Sequence, residues 1–350
     1  MAPVPGTLFR TEIFEQPAAL ERLLAANDEI ARIAATAVAR NVQLVRMVGH
    51  GSSDNAASYG VYAFGLLPRW TAVRDSITLT VHYDTPIDLS ASMVIGLSQS
   101  GQTPDVVEYL LRARKAGAFT VAITNDGDSD LAAAADATIA LGAGPELAVA
   151  ATKTYVNTLG ALALLAGHIA GRGAEIEAGI RGAAEVLTES LPAFETATRS
   201  LALPFAYTGR MFVIGRGTEF ATAREIALKL LETCRIAAEP LTATDLAHGP
   251  IAALDERFPV WISAARDGSL EAVREAVERI AASGAPIVAA GPGAASLGAR
   301  HAIELPPAPD PLLSPLLSVL PGQLFAAALA RAKRLDAGAP RNLRKVTLAR

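Results

Sequence analysis

The sequence predicts an α/β protein made of two tandem doubly wound parallel-sheet domains. Three observations lead there. Short apolar runs alternate with helical patterns, the runs end in Gly/Ser clusters, and the whole plan recurs at a nearly constant offset. Composition agrees: of 350 residues 51% are hydrophobic and only 5% aromatic. Ala and Leu therefore supply most of the apolar surface, a profile suited to helices packed on a buried sheet. The length suggests two domains.

Leu44–Val48 is the first apolar run, and it ends in Gly49-His50-Gly51-Ser52-Ser53 before a helical stretch to about Phe64. Residues 93–97 form the second, ending in Ser98-Gln99-Ser100-Gly101, with a helix from about Thr103 to Lys115. Phe119–Thr124 is the third, stopped by Asn125-Asp126-Gly127-Asp128. Short apolar strands between helices are parallel strands covered on both faces. Such sheets place ligands at the carboxyl ends of their strands, where these Gly/Ser clusters fall.

The second half repeats the plan. Val48-Gly49-His50-Gly51-Ser52 matches Ile214-Gly215-Arg216-Gly217-Thr218 at an offset of 166 residues. Residues 93–97 align with 259–263 at the same offset, and Lys115-Ala116-Gly117-Ala118 with Ala282-Ser283-Gly284-Ala285 at 167. Three matches at a nearly constant spacing indicate a duplicated unit. The expected organisation is a helical segment over 1–34, a first domain over 35–173, a helical linker over 174–198, a second domain over 199–335 and a tail over 336–350.

A formal charge of -4 argues against broad nucleic-acid binding, which needs a clustered basic surface. Cys234 is the only cysteine and the five histidines show no HxxxH spacing, so neither a disulfide nor a metal site is expected. The N-terminus lacks the pattern of a secretory signal. The longest apolar run, 159–170, contains His168 and is shorter than the ~20 residues that span a bilayer. A soluble cytoplasmic protein without cofactor, nucleic-acid or membrane partner is the expectation.

Recognising a phosphate requires several donors converging on one anion. Ser98, Ser100 and Thr103 offer hydroxyls, Gln99 an amide, and Gly101 a close turn, all before a helix whose first N–H groups are free. The plainer account is a capped helix start. One cap needs one hydroxyl, however, and this loop has three. Ser53, at the matching turn after the first strand, adds another. The equivalent loop of the second copy, Ala264-Ala265-Arg266-Asp267-Gly268-Ser269, has lost the hydroxyl cluster and gained a carboxylate. Lys229 and Glu232 share a helix face at i and i+3, as a solvated pair would. His248 lies in the turn-forming Asp245-Leu246-Ala247-His248-Gly249-Pro250, and the basic tail around Arg344-Lys345 reads on its own as a frayed terminus.

Together these segments resemble the sugar isomerase (SIS) domain family in its double-domain, flavodoxin-like form. The likeness is to the isomerase half of glucosamine-6-phosphate synthase and to stand-alone sugar-phosphate isomerases and deaminases. It rests on Gly51-Ser52-Ser53, on Leu97-Ser98-Gln99-Ser100-Gly101-Gln102-Thr103 and on Ala148-Val149-Ala150-Ala151-Thr152-Lys153. It rests also on Ala227-Leu228-Lys229-Leu230-Leu231-Glu232 with His248-Gly249-Pro250, and on Pro340-Arg341-Asn342-Leu343 with Lys345.

The resemblance implies a phosphate site at Ser98, Gln99, Ser100 and Thr103 near Ser53, with Val149 and Ala151 lining the sugar. It implies Glu232 as the base moving a proton between C1 and C2, with Lys229 beside it and Lys345 closing from the tail. His248 would open the sugar ring, reaching in from the second subunit of a homodimer. Moving such a proton needs a positioned carboxylate and stabilised charge at the enediol oxygen.

This chain departs from the synthases at Ala151, Leu231 and Arg344, where they carry a serine, a lysine and a small residue. It also shows no glutaminase domain and no cysteine near Met1. The expected reaction is therefore glucosamine-6-phosphate to fructose-6-phosphate plus ammonia. A fructosamine-phosphate deglycase and a non-catalytic sugar-phosphate sensor are the alternatives.

Overall fold

The computed structural model describes residues 6–42 and 44–345, which contain ten short strands and twelve α-helices. Helices α1 (Thr7–Phe14), α2 (Gln16–Leu23) and α3 (Asn27–Ala39) precede the first sheet. Then follow β1 (Leu44–Val48), α4 (Ser52–Leu66), β2 (Thr71–Arg74), β3 (Ser92–Leu97), α5 (Pro104–Lys115), β4 (Phe119–Thr124), α6 (Asp130–Ala134) and β5 (Ala137–Ala140). Helices α7 (Lys153–Ile169) and α8 (Gly173–Ala202) connect to the second series. That series is β6 (Arg210–Gly215), α9 (Glu219–Cys234), β7 (Ala237–Thr242), α10 (Ala243–Ala247), β8 (Val260–Ser263) and α11 (Leu270–Ala282). It closes with β9 (Ile287–Gly291), β10 (His301–Glu304) and α12 (Ser314–Ala332).

Both sheets are wholly parallel and share one order. The first runs β2-β1-β3-β4-β5, and the second runs β7-β6-β8-β9-β10. Val48 pairs with Gly96 on β3, and its counterpart Ile214 pairs with Ile262 on β8. The central strands β3 and β4 are buried at every position, which is why they read as unbroken apolar runs. Each sheet is a doubly wound 2-1-3-4-5 arrangement whose switch point lies between its first and third strands.

Contacts divide the chain into two compact units. One holds the first sheet with Ala18–Glu146, Lys153–Arg181 and the chain from Arg344; the other holds the second sheet with the chain up to Pro17, Leu147–Thr152 and Gly182–Leu343. The helix expected over 174–198 is α8, which continues to Ala202 and passes through Pro192.

A longer apolar helix than the stretch over 159–170 lies at Pro311–Ala332, long and apolar enough by composition to cross a membrane. Its sequence hides this behind Ser318, Pro321, Gly322 and Gln323. In the fold 89% of its apolar window is buried, so it is a core helix of the second-sheet unit. It lies directly against α9: a Cβ on Gly322 would collide with the Ile226 side chain. The Cys234 thiol of α9 donates to the Ala326 carbonyl 3.2 Å away. Burial pushes that thiol up to about 11, so it is inert at neutral pH.

Candidate functional site

In the first-sheet unit the sequence-predicted hydroxyls gather at the carboxyl ends of β1 and β3. Gly49 is required there, since a Cβ would lie 2.9 Å from both the Leu97 carbonyl oxygen and Ser53 Cβ. Gly101 turns with φ 64°, and any side chain on it would collide with Ser129. The loop is then fixed from behind. Asn125 N–H and the Thr124 hydroxyl both donate to the Gln99 carbonyl, and Leu131 N–H donates to that of Gly101.

The loop is not spent on capping its helix. Thr103 is the N-cap of α5, yet its side chain makes no capping bond; its hydroxyl meets the Ser98 hydroxyl at 2.9 Å. Ser100 Oγ accepts only a long 3.3 Å bond from Gln102 N–H. The Ser53 hydroxyl and the Gln99 side-chain amide have no partner among the described residues. A half-buried set of donors beside a helix N-terminus is what a tetrahedral anion requires.

Two residues of this cluster went unsingled by the sequence. His50 Nε2 lies 2.8 Å from Asp105 Oδ2, the histidine largely exposed and the aspartate buried in the first turn of α5. Asp105 Oδ1 also accepts Val106 N–H at 2.9 Å. His50 stood inside the Gly49–Ser53 cluster, so its place was visible although its partner was not.

Lys345, the last described residue, belongs to the same unit. Its Nζ lies 2.9 Å from Glu146 Oε2. Glu146 is fully buried and also accepts the N–H and hydroxyl of Thr154, at 3.1 and 2.8 Å. The tail lysine is therefore anchored and half-buried rather than frayed. Glu146 gave no sequence signal, because a lone glutamate 199 residues from its lysine has no pattern.

The second-sheet unit holds the other predicted residues. On α9, Lys229 Nζ lies 2.7 Å from Glu232 and 3.3 Å from Glu225. Lys229 and Glu225 are wholly buried, and Glu232 alone keeps about a fifth of its side chain exposed. The solvated pair suggested by the i, i+3 spacing is thus corrected to a buried charge row. Burial alone would lower the Lys229 pKa, but the Glu225 and Glu232 carboxylates outweigh it and hold the lysine above its ordinary value, hence charged.

Val149 and Ala151 sit half-buried in the segment Leu147–Thr152. Glu12 fixes that segment by accepting Leu147 N–H at 2.5 Å and Ala148 N–H at 3.2 Å, while Val149 N–H donates to the Gly338 carbonyl at 3.1 Å. His248 caps the end of α10, exposed, its ring without a partner among the described residues. It lines a cavity of about 390 Å³ with Thr244, Ala272, Glu275 and Arg279.

The second sheet's own loop is closed to an anion. Asp267 accepts both the hydroxyl of Ser269, at 2.6 Å, and its N–H, at 2.8 Å. Glu219, at the position matching Ser53, is buried and takes the Ser314 and Ser318 hydroxyls of α12, each at 2.6 Å.

Fold and site define a class: tandem 2-1-3-4-5 α/β units, one with an open hydroxyl-rich turn, the other with that turn filled by its own carboxylates. The SIS domain matches residues 40–167 and 205–332, and the chain belongs to the SIS domain family. Glutamine–fructose-6-phosphate aminotransferase (isomerizing) of Corynebacterium glutamicum is 33% identical over 97% of this chain. The chain spans 58% of that relative's length.

A crystal structure from Silicibacter pomeroyi DSS-3, provisionally named a phosphosugar isomerase, superposes with a TM-score of 0.83 at 33% identity. It covers 95% of this chain and 100% of its own. The C-terminal domain of the Francisella tularensis glucosamine-fructose-6-phosphate aminotransferase gives a TM-score of 0.87 at 23% identity, over 95% and 98% of the two chains. At that identity the match speaks for the fold.

Proposed function

We propose that the chain is a phosphosugar aldose–ketose isomerase, with glucosamine-6-phosphate plus water to fructose-6-phosphate plus ammonia as its leading reaction. Proton transfer from C2 to C1 converts the amino aldose to a ketimine, which water hydrolyses to the ketose and ammonia. Ser98, Gln99, Ser100 and Thr103, with Ser53, take the phosphate; Val149 and Ala151 line the sugar. Glu232 is the base, held by Lys229. His248 opens the ring from the partner subunit of a homodimer, and Lys345 closes on the substrate. The names of the relatives in Corynebacterium and Silicibacter support this substrate class.

The observation that carries the reading is the row on α9. A lysine withdrawn from water is costly to the fold. Here it fixes one carboxylate, Glu232, that alone remains open to solvent. A positioned carboxylate with an adjacent cation is what removing a weakly acidic carbon-bound proton needs.

Ammonia release from glucosamine-6-phosphate tests the reaction. Release of an amino acid from phosphorylated fructosamines instead would select the deglycase, and binding without turnover the sensor. Glu232→Gln tests the base: kcat should fall at least ~100-fold, while substrate still raises the melting temperature. A variant retaining most of its turnover removes Glu232 from the mechanism.

A further inference from the structure

A cavity of about 620 Å³ opens in the second-sheet unit between α1, the end of α8 and the end of α12. It falls in the range of small-molecule sites. The floor is apolar, formed by Ala202, Leu324, Ala328 and Leu335, with the exposed Leu203 at its edge. The rim carries four arginines, Arg10, Arg199, Arg331 and Arg334, against the single carboxylate of Glu195.

That carboxylate is already engaged, with both oxygens on Arg10 at 2.5 and 2.7 Å. Arg331 and Arg334 form no ion pair with any described residue, and Arg199 acts on Glu195 only at longer range. Arginines at a helix C-terminus commonly serve its free carbonyls. On α12 that duty is already filled by the backbone. Lys333, Arg334 and Leu335 donate their N–H groups to the carbonyls of Leu329, Arg331 and Ala330, at 2.9, 3.0 and 2.8 Å. Arg334 stands at φ 58°, a left-handed position that glycine fills more easily. The rim thus keeps a net positive charge around an apolar floor, on a chain of net charge -4.

We propose that this cavity binds a small organic anion with an apolar body, and that its occupant controls the segment Leu147–Thr152. Two of its walls are tied to that segment within the same unit. On α1, Arg10 faces the cavity while Glu12, two residues on, accepts Leu147 and Ala148 N–H. After α12, Leu335 faces the cavity while Asp336 accepts Gly6 N–H and Gly338 N–H, each at 2.9 Å. Gly338 in turn accepts Val149 N–H. An occupant drawing both walls together therefore acts on the backbone of Val149 and its neighbours through direct hydrogen bonds. The consequence for turnover rests on the assignment of Val149 and Ala151 to the sugar; the binding and the coupling do not.

The test uses the full chain and the aromatic anion anilinonaphthalene sulfonate, with neutral N-phenylnaphthylamine as its uncharged counterpart. Arg331→Ala with Arg334→Ala should weaken the anion about tenfold or more, as loss of charge-assisted contacts does, and leave the neutral probe unchanged. Ala328→Trp should exclude both by filling the floor. Bound anion should slow hydrogen exchange at the amides of Leu147, Ala148 and Val149. Equal anion affinity in wild type and both variants overturns the site, and unchanged exchange at those amides overturns the coupling. A change of mass in solution on Ala328→Trp, measured by light scattering, would make the cavity an interface between copies and overturn the small ligand.

Discussion

Replacing Lys229 with methionine separates a structural charge row from a surface pair. The side chain is wholly buried, as is Glu225 at 3.3 Å. Removing one partner of a buried ion pair costs about 3–5 kcal/mol, because the other charge loses its compensation. An exposed pair costs ~0.2–1 kcal/mol. Glu232 is partly solvated, so most of the loss should come from Glu225. Lys229→Met should therefore remove a large part of a typical 5–15 kcal/mol stability, and Glu225→Leu/Lys229→Met should restore most of it by removing both charges.

The assay is urea unfolding followed by Trp261, buried on β8 of the same unit, in a Trp70→Phe background. A cost below ~1 kcal/mol, within the range of exposed pairs, would refute the reasoning, as would a double variant no better than the single. The sign with pH follows from Lys229, whose pKa is raised in the fold. Its contribution is complete below the ordinary lysine value of ~10.4 and is lost as pH rises through the higher folded value. The cost of Lys229→Met should accordingly be flat across neutral pH and shrink only in strong alkali.

Three further outcomes are expected. Ser100→Ala with Thr103→Ala should raise KM for the phosphosugar by about 100-fold, two hydrogen bonds to a charged group being lost; an unchanged KM makes the loop a helix start and nothing more. Inactive Glu232→Ala and inactive His248→Ala chains, mixed under conditions of exchange, should recover activity through one intact hybrid site, and failure to do so places both groups in one subunit. Glu219→Gln should gain stability relative to wild type as pH rises above 4.5, because burial raises the Glu219 pKa and penalises its charged form; a difference that does not vary with pH denies that burial.

The sequence displays the central strands and conceals the edges. β3 and β4 are buried at every position and β1 is apolar but for the half-buried Arg46, so Leu44–Val48 and Phe119–Thr124 could be read to the residue. β2, β5, β7 and β10 are edge or near-edge strands with few buried positions, and β7 contains Glu239 and Pro240. Pro is tolerated there because one side of an edge strand needs no donor. The hydroxyl loop was legible because its residues are contiguous. The burial of Lys229 was not, since a helix does not announce what packs on it; here α12 does, through Gly322 against Ile226. Glu146 with Lys345 and His50 with Asp105 join distant segments, and no local spacing encodes such pairs.

The two copies diverged in how each disposes of its donors. In the first, the hydroxyls of Ser53 and the loop from Ser98 to Thr103 stay beside one another, with few internal partners. In the second, the residue matching Ser53 is Glu219 and the one matching Gly101 is Asp267. Each brings its own carboxyl group and turns it inward. Asp267 absorbs the donors of Ser269, and Glu219 absorbs the hydroxyls of Ser314 and Ser318 on α12. That second set of bonds clamps α9 to α12 near the first turn of α9, while Thr222 meets Ser318 at 3.3 Å one turn later. Cys234 holds the far end of α9 on the Ala326 carbonyl. A helix fixed at both ends can keep Lys229 buried and present Glu232 at a set height. The residue that replaces Ser53 in the second copy, Glu219, is therefore also the one that ties the start of α9 to α12.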